Sequence, residues 1–66
     1  MSTELIVEKW NEIKVIVESL EQDVAKNSGG NGSAGVRARR GLRLLKKASS
    51  DLVKLTLEVE KARKAN

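Results

Sequence analysis

Sixty-six residues suffice for one small domain, and a chain this short buries only about 60% of the surface its unfolded form exposes. The absence of cysteine and histidine excludes disulfides and the commonest zinc ligands as staples, which leaves oligomerisation as the remaining source of extra stability. The formal charge of +4 is carried by acids and bases spread along the chain with no nucleophile–base grouping, so catalysis, a metal and a cofactor all fall outside the expectation.

The first element is expected over residues 3 to about 26, a stretch without glycine or proline. Ile6, Trp10, Ile13, Val17, Leu20 and Val24 recur at steps of four and three, which is a heptad seam held for about three repeats. Ser2 or Thr3 is suited to cap its start, and Glu4 complements the positive end of the helix dipole. The run Val15-Ile16-Val17 is locally strand-like, a weak preference that packing overrides.

Residues 27 to 33 read Asn-Ser-Gly-Gly-Asn-Gly-Ser and predict a flexible loop of seven residues. It has no Gly-Lys-Ser/Thr ending and follows no strand, so it carries no expectation of a nucleotide site. A second helix is expected over about 34–64, with Ser33 as its N-cap and Lys61, Arg63 and Lys64 at the negative end of its dipole. Its seam reads Ala38, Gly41, Leu45, Ala48, Leu52, Leu55, Val59 and Ala62.

Folding back at the loop sets the seams in register. Val24 falls near Ala38, Leu20 near Gly41, Val17 near Leu45, Ile13 near Ala48, Trp10 near Leu52 and Ile6 near Leu55. Small residues then oppose bulky ones, as interdigitating layers require. The fold class expected is all-α, an antiparallel two-helix hairpin of coiled-coil type formed by residues 1–66 as a single domain, with the second helix overhanging the first. Leu5, Ile16, Leu42, Leu44, Val53 and Leu57 lie off the seam. They are the expected oligomer interface, through which two hairpins, or a higher even number, associate into a four-helix bundle.

Charge is unevenly divided. The first helix carries six acids against three lysines, and the remainder carries ten bases against three acids, in keeping with the total of +4. With Ala38 and Leu45 in the seam, Arg39, Arg40, Arg43, Lys46 and Lys47 fall on the outward face, and no acid occurs between Val36 and Ser50. Arginine forks suit phosphate oxygens, and a row of such charges releases counterions from a polyanion. No zinc finger, helix-turn-helix or aromatic platform points to base readout.

Asp23-Val24-Ala25-Lys26, Asn31-Gly32-Ser33-Ala34, Arg37-Ala38-Arg39-Arg40, Leu45-Lys46-Lys47 and Glu60-Lys61 together resemble bacterial linker-histone-like proteins of the chlamydial type. The resemblance spans roughly residues 15–64. It implies a helical hairpin in a nucleoid-associated protein that binds and compacts DNA, with Arg37, Arg39, Arg40, Lys46 and Lys47 at the family's basic positions. The loop here is longer and richer in glycine than the family pattern. Of the long lysine- and alanine-rich tail of the chlamydial members, this sequence has only Lys61-Ala62-Arg63-Lys64.

The expected function is non-enzymatic, sequence-independent binding of double-stranded DNA through its backbone phosphates by Arg37, Arg39, Arg40, Arg43, Lys46 and Lys47. Self-association would let it bridge or compact DNA. The alternative is a helical protein–protein module with a solvated basic face. No small-molecule substrate and no membrane partner are expected. With no apolar run near the roughly 20 residues of a membrane span and no signal-peptide pattern, the expected location is the cytoplasm and its nucleoid.

Overall fold

A computed structural model describes residues 2–65, with side chains from 3 to 64. The fold is all-helical: α1 (Ser2–Ser28) packs antiparallel against α2 (Gly32–Ala65), and no strand occurs among the described residues. The hairpin is a rod of 54 × 15 × 11 Å. No helix among the described residues is long and apolar enough to cross a membrane.

The connection is much shorter than the composition suggests. Among the described residues only 29–31 lie outside the helices. Gly30 takes φ 102°, the left-handed conformation that glycine adopts without a Cβ penalty. Its N–H donates to the Asn27 carbonyl at 3.0 Å, and the Asn31 N–H donates to the Lys26 carbonyl at 3.0 Å. That bond pair is a Schellman motif, which satisfies carbonyls left open at a helix end. Asn31 then starts the next helix: its Oδ1 accepts the Ala34 N–H at 2.9 Å, and its carbonyl accepts the Gly35 N–H at 3.2 Å.

One residue therefore closes α1 and caps α2, and the expected cap Ser33 lies inside the helix instead. The other turn formers are absorbed into helix ends, where their low propensity costs little. Asn31→Ala is expected to lower stability by about 1 kcal/mol, and Ser33→Ala to change it by less than about 0.5 kcal/mol. Urea unfolding followed by circular dichroism measures both. At the open end, the Ser2 side chain, one of the two expected caps, lies outside the described residues. Thr3 sits within α1, where its Oγ1 accepts a long hydrogen bond from Arg63 Nη2 at 3.5 Å.

The α2 stripe is the expected one, extended by a turn. Ala34, Ala38, Ala48 and Val59 are buried, and Gly41, Leu45, Leu52 and Leu55 are half-buried. Ala62, expected to continue the stripe, is exposed because α1 has run out beside it and α2 overhangs. Leu20, 6% exposed, packs directly on Gly41; a Cβ added there would lie 3.0 Å from Leu20 Cγ and closer still to one methyl.

On α1 the stripe departs from expectation. Ile6, Ile13 and Leu20 face α2, but the alternate positions are Lys9, Ile16 and Asp23 rather than Trp10, Val17 and Val24. Trp10 is 51% exposed, Val17 43% and Val24 46%. Relative to the expected seam, α1 is turned about its axis by roughly 50°, half a residue step. Cross-helix ion pairs mark the turned positions. Asp23 Oδ1 accepts from Arg37 Nε at 3.0 Å, and Lys9 Nζ lies 4.0 Å from Asp51 Oδ2. Ile16, expected at the oligomer interface, is half-buried on this stripe instead.

Candidate nucleic-acid interface

A straight helix packed by one stripe presents the opposite stripe to solvent, and on α2 that stripe is basic. Arg39, Arg40, Arg43, Lys46 and Lys47 are all exposed there. Spacings of three and four stack them into a ridge, and Lys54 extends it two turns further. Arg43, Lys46, Lys47, Ser50, Asp51 and Lys54 line a shallow basin on this ridge. From Arg39 to Lys54 the ridge runs about 22 Å, at 1.5 Å per residue.

Two of the expected residues differ in how free they are. Arg37 is turned off the ridge onto the flank, where Asp23, its side chain 22% exposed, holds the guanidinium at Nε. Lys47 Nζ reaches Asp51 Oδ2 at 3.5 Å one turn on, an exposed i,i+4 contact of the kind worth a few tenths of a kcal/mol. Among the described residues, Arg39, Arg40, Arg43, Lys46 and Lys54 carry no ion pair. Lys54 was not among the expected site residues. Its signal was the 43–47–50–54 spacing, which continues the ridge beyond Ser50.

The hairpin is electrically polar across its width. Exposed Glu4, Glu8, Glu18 and Glu21 lie on α1, while the bases concentrate on α2. Such an arrangement turns the α2 face toward an approaching polyanion. Trp10, the only aromatic residue, belongs to α1, so the ridge carries no stacking platform.

The residues expected to form an oligomer interface are divided among several surfaces. Leu42 and Val53 flank the α2 stripe on one side. Leu44 flanks it on the other, in the heptad column of Arg37 and Asp51. Leu5 lies in the α1 column of Glu12, and Glu12 Oε2 pairs with Lys9 Nζ at 3.1 Å. Leu57 stands at the outer edge of α2, in line with Ser50. All five leucine and valine side chains are exposed.

Searches of curated proteins and of solved structures return no match. A family model does match: that of the histone H1-like protein Hc1, over residues 7–62. The match takes in most of α1, the Gly30–Asn31 connection and the whole basic ridge, and on that extent the chain belongs to the histone H1-like protein Hc1 family.

Proposed function

We propose that this chain is a non-enzymatic, nucleoid-associated DNA-binding protein that grips duplex backbone phosphates with the outer ridge of α2. The observation that carries the reading is the ridge itself: Arg39, Arg40, Arg43, Lys46 and Lys54 are exposed, unpaired among the described residues, and set opposite the packed stripe of a histone-like hairpin. Arg39, Arg40 and Arg43 supply the forked donors that suit phosphate oxygens, and the lysines supply point charge. Arg37 contributes less than its neighbours, because Asp23 already holds it.

Nothing on the ridge is shaped to read base edges, so affinity comes from counterion release and is indifferent to sequence. The working location is the nucleoid of the cytoplasm. An oligomer presenting more than one ridge would bridge or compact duplexes rather than merely coat them.

Fluorescence anisotropy with a short mixed-sequence duplex tests this. With about five phosphates neutralised, log K against log salt falls with a slope of about −4.5, a loss of about 500-fold between roughly 50 and 200 mM salt. The same affinity is expected for duplexes of different sequence. A flat salt response, or no binding at the lowest salt, overturns the reading and leaves the ridge as a solvated surface.

A further inference from the structure

A single carboxylate breaks the basic run of α2. Asp51 is the only acid from residue 34 to residue 57, and it lines the shallow basin with Arg43, Lys46, Lys47, Ser50 and Lys54. Its Oδ2 lies 3.5 Å from Lys47 Nζ, one turn back on the ridge, and 4.0 Å from Lys9 Nζ, which reaches across from α1. Lys9 Nζ in turn pairs with Glu12 Oε2 at 3.1 Å. Charges of alternating sign therefore run Glu12, Lys9, Asp51, Lys47, from one helix onto the ridge of the other. The side chains open toward solvent along the last three, from 26% exposed at Lys9 through 39% at Asp51 to 77% at Lys47.

On the reading that the ridge holds duplex phosphates, we infer that Asp51 sets its affinity by holding Lys47 back, and that Lys9 is a positioning residue that limits this hold. A carboxylate in the basin acts on an approaching phosphate twice. It repels the phosphate through space, and it occupies the ammonium that would otherwise bind it. Lys46, in the same basin without an ion pair among the described residues, is free of the second effect. Lys9 opposes both effects. It neutralises part of the Asp51 charge and draws on the same oxygen, so the carboxylate is shared between two ammonium groups rather than committed to Lys47. A lysine of the acidic helix, set on its packed stripe, thereby supports binding without touching DNA.

Asp51→Asn keeps the shape of the side chain and removes its charge. Lys47 then joins the unpaired Arg39, Arg40, Arg43, Lys46 and Lys54 as a further phosphate contact, and the salt slope steepens from about −4.5 to about −5.4. At about 0.1 M salt, duplex affinity rises about eightfold. Lys9→Gln leaves Asp51 to Lys47 alone, and affinity falls about two- to threefold. In the Asp51→Asn background the Lys9 change should have no effect, because the charge it acts on is gone. Glu60→Gln and Lys14→Gln make the same two changes of net charge away from the basin, at residues with no ion pair among those described. Neither should alter the slope.

Anisotropy titrations of these variants with one duplex, across roughly 50 to 200 mM salt, test the assignment, with thermal unfolding followed alongside. A second measurement uses no DNA. In lysine side-chain NMR, Asp51→Asn should move the ε-methylene resonances of Lys47 and Lys9 and leave those of Lys46 in place. Lys47 resonances that ignore Asp51→Asn overturn the hold itself. Affinity and slope unchanged by Asp51→Asn overturn its effect on binding. A Lys9→Gln loss that persists in the Asp51→Asn background overturns the positioning role, since Lys9 would then act through the fold or through net charge. Each of these results leaves the DNA-binding reading standing. Absence of duplex binding by the unchanged protein at the lowest salt overturns that reading and this assignment together.

Discussion

Replacing Gly41 with leucine is expected to destroy the hairpin, and the reason is the close packing of Leu20 on that glycine. A Cβ at position 41 would strike a methyl of Leu20 and lie 3.0 Å from its Cγ, and Leu20 is among the most buried side chains of the fold. Alanine there gains about 1 kcal/mol of helix propensity over glycine but overpacks the contact at a cost of about 1–3 kcal/mol. The net effect of Gly41→Ala is therefore a loss of about 0–2 kcal/mol. Leucine adds three more carbons with no space to enter, so α1 and α2 must separate along the layer that Leu20 fills.

A loss above about 3 kcal/mol is expected, comparable to the whole stability of a domain this small. Far-ultraviolet circular dichroism with urea unfolding measures it. Leu20→Ala combined with Gly41→Ala should recover at least about 1 kcal/mol over the sum of the single changes, because each relieves the other. A Gly41→Leu protein as stable as the original would mean that this contact does not set the helix spacing.

The two helices are not equally legible in the sequence. On α2 only one stripe is apolar, since Arg39, Arg40, Arg43, Lys46 and Lys47 occupy the opposite side, so its seam follows from periodicity alone. On α1 two seams share Ile6, Ile13 and Leu20 and differ in whether 10, 17 and 24 or 9, 16 and 23 complete them. Hydrophobicity favours the first. The structure takes the second, where Lys9 and Asp23 meet Asp51 and Arg37 of the other helix, information that no local pattern in α1 contains. The connection misleads for a different reason. Seven turn-forming residues look like slack, yet one left-handed glycine and one capping asparagine suffice to reverse the chain. The basic ridge is visible as charge density, whereas the diversion of Arg37 depends on Asp23 lying across the helix interface.

Changing Arg39, Arg40 and Arg43 together to glutamate is expected to remove duplex binding while leaving the fold in place. All three are exposed and outside any ion pair among the described residues. Arginine and glutamate have similar helix propensity, so thermal unfolding should shift little. Binding should not survive. Each phosphate contact contributes about 0.9 to the salt slope, so losing three reduces it from about −4.5 to about −2. At about 0.1 M salt that is roughly a 500-fold loss, and three new acids on the ridge add repulsion to it.

Glutamine at the same positions removes the contacts without the repulsion and should fall between the two. Arg37→Gln is the informative contrast. It breaks the pair with Asp23, costs less than about 1 kcal/mol of stability, and should leave the salt slope nearly unchanged. If Arg37→Gln weakened binding as much as the triple change, the phosphates would lie against the ion-paired flank rather than the ridge. If the triple reversal left both affinity and slope intact, the ridge would have no part in holding DNA, and the charge of α2 would serve only solubility or the pairing with acidic α1.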